Sequence, residues 1–125
     1  SRLPRVLAIH HPPRIDPDMA LRWPALDAGS TRALATAIAG QDVRAILSGH
    51  VHVNRMLMWG GAPVIVTMGQ QSAIDPLQGP GWHVVEGAGF AICDLYGADL
   101  QVTYAPLGEA RLLHQISEDE ARAYP

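Results

Sequence analysis

Two histidines stand two residues apart in SGHVHVN, residues 48–54, directly after an apolar run. A second pair, His10 and His11, closes another apolar run and is followed by Pro12 and Pro13. Neutral imidazole is the commonest metal ligand in proteins and suits Zn, Fe, Ni and Cu better than Mg or Ca. A single histidine at a strand end is ordinarily a hydrogen-bonded structural residue. Clustering is what distinguishes a metal site, so His10, His50 and His52 are the candidate ligands. His50 and His52, two apart on an extended turn, diverge and need not serve one ion. Two ions about 3.5–4 Å apart would clamp a phosphate and neutralise the charge that builds up during in-line attack.

These residues need strands to hold them. Residues 5–9 are almost continuously apolar and read as a short strand covered on both faces, ended at His10 by the two prolines. Residues 14–29 carry Pro17 and Pro24 and read as a long irregular loop. Ser30 is placed to cap a helix over 30–39, with Leu34 and Ile38 on one face and Gly40 ending it. Residues 43–47 form a second buried strand, and Gly49 lets the chain turn where that strand ends. Strand, helix, strand is a βαβ unit with parallel strands, which brings His10 and His50 together at neighbouring carboxyl ends. Ligands collect at such ends in open α/β sheets.

Beyond the turn, residues 56–59 and 63–67 flank Gly60 and Gly61 as a tight hairpin, so the sheet becomes mixed. Residues 68–89, rich in Gly, Gln and Pro, read as a long loop with at most a short helical turn. Residues 90–95 and 100–104 form a second hairpin, and Ser117 with Glu120 has capping-box spacing for a short helix through Ala123.

The chain has 125 residues, enough for one core, with 48% hydrophobic and 17% charged residues. A net charge of −3, with nine arginines and no lysine, offers no basic surface for nucleic acid. No apolar run approaches the roughly 20 residues of a membrane span. Cys93 is the only cysteine, which fits a reducing compartment, and a cytoplasmic location is expected. The start at Ser1, without an initiator methionine, reads as cut from something longer.

AIHHPP at residues 8–13, followed by SGHVHVN at 48–54, resembles the last two motifs of the calcineurin-like binuclear metallophosphoesterases, in style nearest the bacterial class III cyclic-nucleotide phosphodiesterases. The resemblance covers about residues 6–67. It implies an α/β fold, the C-terminal half of an αββα sandwich with a mixed sheet, and a domain whose N-terminal half is absent. It further implies that His10 and His50 share one ion, that His52 binds its neighbour, and that both ions are divalent transition metals such as Fe, Mn or Zn. The implied activity is hydrolysis of phosphate esters, most of all phosphodiesters such as 3′,5′-cyclic nucleotides, by a metal-bridging hydroxide. The family's upstream Asp-x-His, Gly-Asp and Gly-Asn-His-Asp/Glu motifs have no counterpart here, so the bridging carboxylate and the proton donor are missing and no residue of this chain is read as catalytic.

His11 and Asn54 are candidate substrate contacts, with a supporting or turn role as the plainer alternative. His83 and His114 read as structural or exposed, Asp75 and Trp82 as loop residues that could wall the pocket, and Cys93 as a small buried hydrophobe. The competing expectation is a non-catalytic fragment, or a partner half that forms an incomplete metal site and acts in assembly with an N-terminal half or a second copy, since three imidazoles over two sites hold metal weakly. A metallo-β-lactamase-like hydrolase is a third and poor alternative, since Asn54 stands where that pattern needs an aspartate.

Overall fold

The computed structural model describes residues 3–15, 25–75, 77, 83–109, 111–113 and 115–123. Trp82 and His114 lie outside the described residues. The fold is α/β: a mixed four-stranded sheet, two further two-stranded hairpins and, among the described residues, two helices. The central sheet has the order β1-β2-β4-β3, from β1 (Arg5–Ala8), β2 (Val43–Ser48), β4 (Ala62–Val66) and β3 (Arg55–Trp59).

The parallel pairing expected of the βαβ unit is present. Val6 lies opposite Ala45, Leu7 opposite Ile46 and Ala8 opposite Leu47. β2 also pairs in parallel with β4, which places it inside the sheet, and Ala45 and Ile46, on opposite faces, are both fully buried. β1 departs from the expectation of two covered faces. It lies at the sheet margin, its burial alternates along the strand, and Val6 is 46% exposed. One packed face is enough to hold it, through Leu7 and then Ile9 against the core.

That core is Ile46, Val51, Val53, Ala62, Val64 and Val66, with Leu7, Ile9, Leu57, Trp59 and Ile74 packed around it. Ile38 reaches it from helix α1 (Ala28–Ile38), where Leu34 and Ile38 are half-buried on one face as their spacing predicts. The N-cap is Asp27, three residues before the expected Ser30. The Asp27 carboxylate accepts from the Ser30 backbone N–H at 2.9 Å and from the Ser30 hydroxyl at 2.6 Å. Those two bonds hold the Asp27 carboxyl below its ordinary range. A carboxylate accepts two bonds at once, which is why it takes the cap from a neighbouring hydroxyl.

The tight hairpin is confirmed. β3 and β4 are antiparallel, and Gly60 and Gly61 have φ of 59° and 82°, the left-handed pair that a two-residue connection needs. Met56 and Met58 face outward while Leu57 packs inward. Residues 68–89 are not one long loop, because they contain a hairpin of β5 (Ser72–Asp75) and β6 (His83–Glu86). Its strands are four residues each, too short for alternation to stand out among glycines and glutamines. His83 is exposed on β6, and Asp75, on β5, accepts the Leu77 N–H.

β7 (Ala88–Tyr96) and β8 (Asp99–Leu107) form the expected second hairpin, longer at both ends. Cys93, on its inner face, is half-buried rather than enclosed, and burial raises its thiol pKa. Arg44 joins this hairpin to the sheet, donating to the Gly97 carbonyl at 3.0 Å while paired with Asp42. Helix α2 (Glu118–Arg122) carries the full Ser117–Glu120 capping box. No helix among the described residues is long and apolar enough to cross a membrane.

Replacing Ile46 by Ala is expected to cost about 2–5 kcal/mol, as at other buried aliphatic sites, whereas Met58→Ala, at an exposed position, should stay within about 0.5 kcal/mol. Urea denaturation of the two variants checks the contrast.

Candidate metal centre

The end of β1 and the end of β2 are joined by hydrogen bonds that continue past the strands. The Ile9 N–H donates to the Leu47 carbonyl at 2.9 Å. The His10 carbonyl then accepts from both the Gly49 N–H at 3.1 Å and the Ser48 hydroxyl at 3.0 Å. His10 is thereby fixed against the turn that carries His50. Beyond it, Pro12 and Pro13 are buried, the Pro12 carbonyl accepts from Leu26 N–H at 2.9 Å, and Arg14 N–H donates to Thr31 Oγ1 at 3.2 Å. The His-His-Pro-Pro segment is therefore anchored on the first turn of α1 as well as on β2.

The result is a cluster of three imidazoles. His50 Nδ1 and His10 Nε2 are 3.0 Å apart. The His11 and His50 ring centroids are 3.9 Å apart, and His10 lies edge-on to both, at 4.9 Å from His11 and 4.8 Å from His50. One ring nitrogen from each of His10, His11 and His50 lies within 4.8 Å of the others. With metal–nitrogen bonds of about 2.0–2.1 Å, two nitrogens on one ion stand about 2.9 Å apart at a right angle and about 3.3 Å apart at a tetrahedral one. The His10–His50 separation falls in that interval, so the cluster can hold one metal ion. Without metal the short contact is a hydrogen bond, which requires a proton on one of the two nitrogens. Metal uptake must displace that proton.

His10 and His50 thus come together as the parallel pairing predicts. The third ring is His11, which the sequence placed as a substrate contact. Regular strand structure stops at Ala8, so the alternation that would turn adjacent side chains apart does not reach positions 10 and 11. The double proline after the double histidine was the available signal.

His52 lies outside this cluster. Its Nδ1 shares a 2.9 Å hydrogen bond with Ser72 Oγ at the start of β5, and its carbonyl accepts from Ile74 N–H at 2.9 Å. The two histidines of SGHVHVN diverge as expected, but not on an extended turn. The sharp backbone is theirs and not that of Gly49: His50 has φ of 67° and His52 of 52°, whereas Gly49 is not left-handed. Asn54 is exposed, and its Oδ1 accepts from Met68 N–H at 3.0 Å, bracing the turn against the segment that follows β4. Ser72 escaped the sequence reading because the segment around it looked like unstructured loop.

Burial, with the neighbouring His11, His10 and His52 rings adding to it, lowers the pKa of His50 below the ordinary histidine value. His50 is therefore neutral, and able to ligate, at pH 7. The sign for stability follows. Below about pH 6.5 an unfolded chain takes up a proton at this position more readily than the folded one, so stability present above that pH is lost on acidification. The melting temperature should fall between pH 7.5 and 5.5 in the wild type and fall less in His50→Ala, as differential scanning fluorimetry would record. Zinc titration calorimetry should show a tightest site that His10→Ala or His11→Ala weakens at least about tenfold, since losing a ligand costs no less than losing the support of one. No family model matches this sequence and no curated protein matches it, so the three rings and their surroundings carry the functional reading.

Proposed function

We propose that this chain is the C-terminal half of an αββα metallophosphoesterase sandwich and contributes part of a centre that hydrolyses phosphate esters. Phosphodiesters such as 3′,5′-cyclic nucleotides are the substrate class. The observation that carries the reading is the 3.0 Å approach of His10 Nε2 and His50 Nδ1 at the ends of two parallel strands, with His11 as the third ring.

In this reading His10, His11 and His50 hold one divalent transition-metal ion, of Fe, Mn or Zn type, and His52 faces a second. Such ions supply positive charge to phosphoryl oxygens and acidify water toward neutral pH. The residues of the chain supply orientation. The backbone of His10 is pinned through its carbonyl, that of His11 through the buried prolines and that of His50 through the turn, so only the rings need to turn when the ion arrives. Asn54, exposed on the same turn, directs one amide N–H at Met68 Sδ, 3.7 Å away, and offers the other to a substrate oxygen.

A second reading, a non-catalytic half that acts in assembly, is favoured by one face of the sheet. Val6, Met56 and Met58 are 46%, 56% and 60% exposed, and the strand register puts all three on the same side. The two readings separate in one assay with bis-p-nitrophenyl phosphate and Mn²⁺ or Fe²⁺. The isolated chain should be inert and gain turnover when joined to the N-terminal half, and His50→Ala or His52→Ala in the joined protein should lose metal together with about 100-fold or more of that activity. Full activity in either variant would remove the hydrolase reading. Turnover by the isolated chain would remove the incomplete site.

A further inference from the structure

His52 is held more firmly than packing requires. Its backbone is in the left-handed region, which side chains other than glycine rarely adopt, and among the described residues the only other non-glycine residue there is His50. Strain of this kind persists where the surroundings over-determine it, and it gathers at functional sites. His50 belongs to the three-ring cluster. His52 carries the same strain without belonging to it.

Three contacts hold the residue. The Ile74 N–H donates to its carbonyl at 2.9 Å. Ser72 Oγ lies 2.9 Å from its Nδ1. The ring covers Gly69 so closely that a Cβ on Gly69 would stand 2.7 Å from Nδ1 and Cε1 and 3.0 Å from Nε2. Gly69 is thus a floor on which the imidazole rests, and any larger residue would push the ring out of its seat. Serine fixes one ring nitrogen and the floor fixes the ring plane, which leaves Nε2 as the atom to meet a ligand. A hydroxyl can either give or take this hydrogen bond. If it takes the proton of Nδ1, the lone pair rests on Nε2. A histidine that ligates metal commonly has its other ring nitrogen held in this way.

We infer that Ser72 is a positioning residue: its hydroxyl accepts from His52 Nδ1–H, directing an unprotonated Nε2 toward the second divalent cation of the proposed centre. The inference rests on the metallophosphoesterase reading. It adds to that reading a hydroxyl and a glycine from a segment without sequence signal.

Nitrogen-15 NMR of histidine-labelled 125-residue chain, with zinc as the probe, tests it without reference to activity. Ring couplings should show His52 protonated at Nδ1, and zinc should shift its Nε2. Ser72→Ala should move the proton to Nε2 and weaken that zinc response about 10–100-fold, while Ser72→Thr should restore both. A wild-type His52 protonated at Nε2 overturns the inference and needs no variant to be seen. So does a Ser72→Ala chain with unchanged couplings and zinc response. Zinc that moves His10, His11 and His50 but not His52 overturns this inference alone. Zinc that moves none of the four overturns the metal reading and this inference with it.

Discussion

The parallel pairing of β1 with β2 is the constraint on which the rest depends. Val6 opposite Ala45 and Ala8 opposite Leu47 set the register, and the ladder runs on through Ile9 to the His10 carbonyl. Side chains alternate along a strand, so a slip of one residue would send Leu7 and Ile9 out of the core and expose Val6 and Ala8 to it instead. Burial of Leu7 and Ile9 against Ile46 and its neighbours therefore selects the register that lets His10 meet His50. The hydrophobic core and the imidazole cluster are specified by the same pairing.

Around that pairing, the turn after β2 is built from strained backbone held by short, directed bonds. Val51 and Val53 plug the core, and the histidines between and before them take up the left-handed conformations that this burial leaves. His50 meets His10 at the end of β1 while His52 meets Ser72 on β5, so one heptapeptide serves two neighbourhoods. His10 and His11 come from a segment anchored twice, on β2 and on the start of α1. A cluster supported this way has its backbone placed before a ligand arrives, which lowers the ordering cost of binding.

How much of this can be read from the sequence depends on range. The two strands, the helix between them, the Gly60–Gly61 hairpin and the terminal capping box carry local signals of periodicity and turn chemistry, and all are present, though β1 is covered on one face and not on two. The proximity of His10 and His50 follows from topology alone. His11 was harder, because its orientation depends on where strand geometry stops, and that is set by tertiary contacts of Pro12 and Pro13. The cap of α1 fell on Asp27 because two good capping residues lay within one turn and the carboxylate could accept from both donors of the other. The β5–β6 hairpin was hidden by strands of four residues, and with it went Ser72 and Gly69, whose relation to His52 exists only in three dimensions.

The central claim is that three imidazoles of this chain hold one ion. X-ray absorption of the chain loaded with one equivalent of zinc tests it most directly. Three imidazole nitrogens at about 2.0–2.1 Å, with the remaining position taken by a light atom from solvent, are expected. Zinc surrounded by oxygen, with one imidazole or none, would contradict it.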